Sequence, residues 1–209
     1  MSQAPLIESF TFPGEDRNFG GASLYVDLVP SSSWAQNARS VLSAQQWKRV
    51  STIVKLRCKN MCEACGSPEL IKNKCFIEAH ERWHYDLGTS TQSLRRLVGL
   101  CSRCHRATHF GFAASRGLEK PAMKQLERVN NWSSATALNH VKDAFATWRL
   151  RNGVRWSVDV SLLSIISDQK GASSCIGVCH IHEGKCLGCA RPALQIFQGT
   201  EVSEVSHAG

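Results

Sequence analysis

The sequence predicts an α+β fold in which a small metal-clamped core is flanked by helices, a short antiparallel ribbon and a small C-terminal metal knuckle. Three observations predict it. Two CxxC pairs, Cys62/Cys65 and Cys101/Cys104, are set far enough apart to enclose a folded insert. Two segments, LYVDLVP and RWSVDV, alternate apolar and polar residues as half-buried strands do. Three further segments place apolar residues three and four apart, the spacing of one helix face.

Residues 1–20 carry Pro5, Pro13, Gly14 and Gly20, which is loop chemistry, and are expected to drape irregularly over the surface. The main domain is expected over 21–166. Its first strand is Leu24 to Pro30, with Arg155 to Val160 as the antiparallel partner. Ser43 is placed to cap a helix whose apolar face is Trp47, Val50, Ile53, Val54 and Arg57. Lys120 to Val129 reads as a short helix, and Ser134 caps another striped by Leu138, Val141, Phe145 and Trp148. These aromatics read as core. A polar linker, 167–174, leads to a four-cysteine knuckle at 175–192 and a tail at 193–209 without a visible motif.

Of 209 residues, 43% are hydrophobic and 20% charged, with no low-complexity tract, which places the chain among globular proteins. No apolar run approaches the length of a membrane span, and MSQAPLIESF lacks the charged and apolar regions of a secretory signal. A cytoplasmic protein with no membrane partner is expected. A net charge of +8 ranks nucleic acid first among partners, because a cationic surface releases counterions from polyphosphates. A merely solvated basic surface is the alternative. Ten cysteines in a reducing compartment point to metal rather than disulfides. Eight form two sets of four, and Cys58 and Cys75 remain as small buried hydrophobes.

CEAC and CSRC each put two sulfurs on a tight knuckle, so Cys62, Cys65, Cys101 and Cys104 can close tetrahedrally on zinc at about 2.3 Å. Gly66 can supply the positive φ of such a turn. Four thiolates leave no open position, so this zinc is structural. The clamp brings IEAHERWHYD toward CHRATH, and with them His80, His105 and His109. The last two are four residues apart on an expected helix, a spacing that suits two imidazoles on one divalent ion. His84 and His140 read as surface or core histidines.

A cysteine-clamped hairpin followed by a helix carrying His-x3-His resembles the ββα-metal unit of HNH endonucleases. The likeness covers about residues 24–160, through WKRVSTIVKLRCKNMCEACGS, IEAHERWHYD and LVGLCSRCHRATHFG. It implies metal-dependent hydrolysis of phosphodiester bonds in nucleic acid, with duplex DNA as the substrate expected. It also implies a labile divalent ion (Mg, Mn, Ni or Zn) at the histidines. The sequence departs from the family twice: the usual His pair is His80-Glu81, and the usual Asn is Arg96. Two assignments stay open: His80 as metal ligand with Glu81 as base, or Glu78 as ligand with His80 as base. Strand alternation sets Glu78 and His80 on one face and Glu81 on the other. His105 and His109 are ligands in both. Arg95, Arg96 and Arg103 are candidates to hold the phosphate, with Arg106 as a further nucleic-acid contact. A catalytically inactive HNH-fold module that binds nucleic acid or a protein is the alternative.

Cys175, Cys179, Cys186 and Cys189 lie in a span too short to fold without a staple. They resemble a small bacterial four-cysteine domain of unknown function, through CIGVC and CLGCAR. Zinc is the expected ion, making about two structural zincs in all, and an iron–sulfur cluster is the alternative. His180 and His182 are spare donors, and the knuckle is a candidate protein-docking element.

Overall fold

A computed structural model describes residues 10–21, 23–34 and 37–164, together with the paired segments Ile181–His182 and Lys185–Cys186. The linker at 167–174, Cys175, Cys179, Cys189 and the tail lie outside the described residues.

The fold is mixed α and β. Helices α1 (Ala38–Val41) and α2 (Ala44–Arg57) lead into a long hairpin, β1 (Ile77–Asp86) and β2 (Thr91–Cys101). There follow α3 (Ser102–Thr108), α4 (Phe110–Ser115), α5 (Glu119–Asn130), α6 (Ser134–Asn152) and the short strand β3 (Ser157–Asp159). The segments Ile181–His182 (β4) and Lys185–Cys186 (β5) form a separate antiparallel pair. The main sheet has the order β1-β2-β3, so β1 is an edge strand. Among the described residues no helix is long and apolar enough to cross a membrane.

Local chemistry explains the helix starts. Ser43 caps α2 by accepting from the Gln46 N–H, and Gln46 bonds back in a capping box. The cap of α6 is Ser133, one residue before the expected Ser134. The helix buries Ala137 and Val141 and leaves Leu138 of the expected stripe exposed.

The expected ribbon does not form. β3 pairs in parallel with β2, through Thr91 to Ser93, and Leu24 to Pro30 is extended backbone without strand partners. Alternation there reports burial at Leu24 and Val26, which are in the core, and fails at Asp27, which is buried as well; apart from the Asp27 N–H on the Thr108 carbonyl, side chains stand in for the ladder. The Leu24 N–H donates to Asn130 Oδ1 at 3.0 Å and the Val26 N–H to His140 Nε2 at 2.9 Å. His140 is thus a structural acceptor.

The described part of the N-terminal segment is irregular, yet it docks into the protein instead of draping over it. Phe12 is buried, and Glu15 accepts two hydrogen bonds from Arg57 at 2.7 and 2.8 Å with both side chains fully enclosed. The Leu97 N–H also donates to Glu15 at 2.9 Å.

Two apolar clusters sit on the sheet. One gathers Ile77, Val98 and Leu100 with α3, α5 and α6. The other packs Val50, Ile53 and Val54 of α2 on Ala79, Trp83, Leu94 and Leu97. Leu94 and Leu97 reach the same cluster although three apart because β2 carries a bulge: Arg82 pairs with Arg96, Trp83 with Leu94, and Arg95 is the extra residue.

Candidate metal centre and adjoining cavity

Cys62 and Cys65 sit on a turn closed by the Gly66 N–H on the Cys62 carbonyl, with Gly66 at φ +68° as its position requires. Cys101 ends β2, and Cys104 lies in the first turn of α3. The four sulfurs come within 4.8 Å of one another. Cys65 Sγ and Cys101 Sγ are 3.7 Å apart, against the roughly 3.8 Å that four 2.3 Å bonds at tetrahedral angles require. The Gln125 amide donates to Cys104 Sγ at 3.0 Å, a bond that stabilises a thiolate. Without an ion, hydrogen bonding with Cys104 pushes the Cys101 thiol far down, while its counterpart pushes Cys104 up. The set fits a structural ion. Cys75 is buried and Cys58 half-buried, outside the four. Of the second cysteine set only the backbone of Cys186, in β5, is described.

His80, His105 and His109 form the second group. One ring nitrogen of each lies within 4.8 Å of the others, and the ring centroids are 4.7 to 5.3 Å apart. His109 is the residue that closes α3 and opens α4, and its N–H still bonds the His105 carbonyl, so the four-residue spacing holds across the break. The Nε2 atoms of His105 and His109 are 3.2 Å apart, close to the roughly 3.3 Å between two nitrogens on a tetrahedral ion at 2.0–2.1 Å.

Protonation favours ligation. Burial drives the His80 pKa well below the usual histidine value, with His109 adding to it. Burial, then the neighbouring His105, lowers His109 to about 4. Neutral imidazoles are what a metal needs. His80 Nε2 is buried without a hydrogen-bond partner, an uncommon cost unless something else satisfies the group.

Glu78 is a neighbour of this group rather than a member. Its Oε2 lies 3.0 Å from His105 Nδ1, and the hydrogen bond from His105 holds its carboxyl below the usual range. A carboxylate on the far nitrogen fixes tautomer and ring orientation, the outer-shell arrangement of metal-bound histidines.

Beside the histidines opens a cavity of about 670 Å³. An edge strand can present both faces to one hollow, and both His80 and Glu81 line it although they lie on opposite faces of β1. Glu81 accepts from the Ala38 N–H at 3.1 Å. Desolvation pushes its carboxyl up to about 7, against that hydrogen bond.

The arginines are placed differently from expectation. Arg96 is buried, bonded to the Gly21 and Phe19 carbonyls and to Glu63 at 3.3 Å. It ties the N-terminal loop to β2 and does not line the cavity. Arg95 is exposed and does not line it either. Arg103 and Arg106 are three apart on α3 and border a separate hollow with Lys74, not the cavity of the histidines. Arg39 of α1 is the one guanidinium among the described residues that lines the cavity, stacked 5.0 Å over Trp47. No sequence motif marks Arg39, because its place depends on a one-turn helix docked against β1. The helix stripe did contain Phe145 and Trp148, yet these line the cavity and Val141 alone of the apolar stripe is core.

No protein-family model, curated protein or solved structure matches the chain.

Proposed function

We propose that this protein is a metal-dependent nuclease of the HNH type, hydrolysing phosphodiester bonds in nucleic acid. The observation that carries the reading is the convergence of His80 from the first strand with His105 and His109 from the helix after the second, beside a four-cysteine clamp. The first strand and the helix that follows the hairpin supply these groups, which is the order expected of a ββα-metal unit.

His80, His105 and His109 would hold a divalent ion, which supplies charge to neutralise a phosphodiester and its leaving oxygen. Glu78 orients His105 from behind. Glu81 is the base: its carboxylate borders the cavity, is steadied by the Ala38 N–H and takes a proton from the attacking water. Arg39 stands where a phosphate oxygen would be met. The engagement of Glu78 by His105 supports the assignment with His80 as ligand and Glu81 as base.

Cleavage of supercoiled plasmid and of single-stranded circular DNA, each with Mg²⁺, Mn²⁺ or Ni²⁺, tests the proposal. Mild chelation should stop cleavage without unfolding, since three protein ligands leave the ion labile while four thiolates do not. His80→Ala and Glu81→Ala should each abolish cleavage. Activity surviving Glu81→Ala returns the base to His80. No cleavage by the wild type with any divalent ion leaves the binding-module reading.

A further inference from the structure

We propose that the cavity beside the histidines holds an unpaired nucleobase, so that the substrate is single-stranded nucleic acid. This rests on the nuclease reading for the phosphate and on the cavity itself for the base.

The walls are aromatic where a duplex groove would need cations. Trp34, Trp47, Trp83, Phe112, Phe145 and Trp148 line the cavity, with a single guanidinium among the described residues, Arg39. Trp34 is 65% and Phe112 63% exposed, an arrangement that leaves large apolar faces in water at the mouth of a polar site. Trp34 is not loose. Its Nε1 donates to the Val29 carbonyl at 2.9 Å, and the Trp148 Nε1 donates to the same oxygen at 3.1 Å. One acceptor therefore fixes two indoles, of which Trp34 is largely exposed, so little rotamer freedom remains to be lost on binding.

Flat faces of this kind recognise flat ligands. In a duplex the base faces are covered by their neighbours, and only edges are offered in the grooves. A base presents its face only when it is unstacked, in a single strand or after flipping. The volume of about 670 Å³ falls within the range of small-ligand clefts. The histidine group, Glu81 and Arg39 stand at the same cavity, so a base held by the aromatics carries its own phosphate to them. The Arg103, Arg106 and Lys74 hollow lies elsewhere, where the continuing backbone would be neutralised.

The test is binding by fluorescence anisotropy on the full chain in EDTA, which removes cleavage from the readout. The probes are a labelled single-stranded DNA 12-mer, the same strand with abasic sites at its centre, and the corresponding duplex. The intact single strand should bind more tightly than the duplex. Trp34→Ala and Phe112→Ala, both at exposed positions, should each weaken it by about 5- to 150-fold, the range of one lost stack, and Trp34→Phe, which restores a flat face without the Nε1 anchor, should recover part of the loss. Abasic substitution should cause a similar loss and make Trp34→Ala silent. Equal binding of duplex and single strand, or a Trp34→Ala variant that still distinguishes abasic from intact strand as the wild type does, overturns the proposal. Stacking-dependent binding without cleavage under any ion supports the base site and removes the nuclease reading. Cleavage of duplex in preference to single strand keeps the nuclease and removes the base site.

Discussion

Replacing Glu78 by Gln tests the metal centre at its support. Glu78 Oε2 is 3.0 Å from His105 Nδ1, which leaves Nε2 of that ring facing Nε2 of His109 at 3.2 Å. A glutamine keeps the size but loses the charge, and its amide can turn its NH₂ toward the ring and favour the wrong tautomer. Loss of such a support costs about 10- to 100-fold in metal affinity, or about 1.4 to 2.7 kcal/mol at 1.36 kcal/mol per decade. The carboxylate is partly exposed, so the lower half of that range is expected, with little change in folding stability. Titration of Co²⁺ into the protein with its thiolate site already filled, followed by absorbance and calorimetry, measures the affinity directly. His105→Ala sets the scale for losing a ligand. Glu78→Ala matching His105→Ala in its loss would make Glu78 itself a ligand. No loss from Glu78→Gln, with a large one from His105→Ala, would refute orientation by Glu78.

Two further outcomes follow from buried charge. Glu15→Ala strands the enclosed Arg57 guanidinium and should cost about 3–5 kcal/mol in urea unfolding, partly restored by adding Arg57→Met; a loss below about 1 kcal/mol would be inconsistent with this estimate. Asp27, buried near Arg151, has its pKa raised by burial from 3.8 to about 6. Its folded form therefore holds the proton more tightly, so the associated stability is present below about pH 4 and lost as pH rises through 6. At 1.36 kcal/mol per pH unit the loss is on the order of 3 kcal/mol. Asp27→Asn should accordingly raise the melting temperature relative to wild type at pH 8 and not at pH 4; a gain that does not change with pH would remove Asp27 as the cause.

The cysteine knuckles and the His105/His109 pair were legible because both depend on short spacings that survive any packing: two residues between sulfurs, three between imidazoles. The Ser43 cap and the stripe of α2 were legible for the same reason. Residues whose role depends on a distant partner were not. Arg96 stands where the HNH resemblance expects an Asn, yet Glu63 and two loop carbonyls capture it. Leu24 to Pro30 has the alternation of a strand, but alternation names the buried face and is silent on who completes the backbone hydrogen bonds. Arg39, Trp34 and Trp47 come together only when α1 and α2 fold against β1, and no local pattern announces that.

The extra residue in β2 has a bearing on which changes in length this hairpin can absorb. Arg95 divides β2 into two stretches of opposite parity: Leu97, Gly99 and Cys101 continue the face that Leu94 begins only because one residue intervenes. Deleting Arg95 would force one stretch to turn over. Either Leu94 and its neighbours would leave the α2 cluster, or Val98 and Leu100 would exchange places with Leu97 and Gly99. The second outcome would drive a side chain where Gly99 now lies against Cys58, whose sulfur would stand 2.6 Å from an added Cβ. The tip at 87–89 faces no such arithmetic, since its residues are exposed and lie outside the strand ladder, whereas Ser90 beside it accepts the backbone hydrogen bond from the Ser157 N–H that opens β3. Insertions and deletions should therefore accumulate at the tip among descendants of this chain, while the stretch from Arg95 to Cys101 keeps its count.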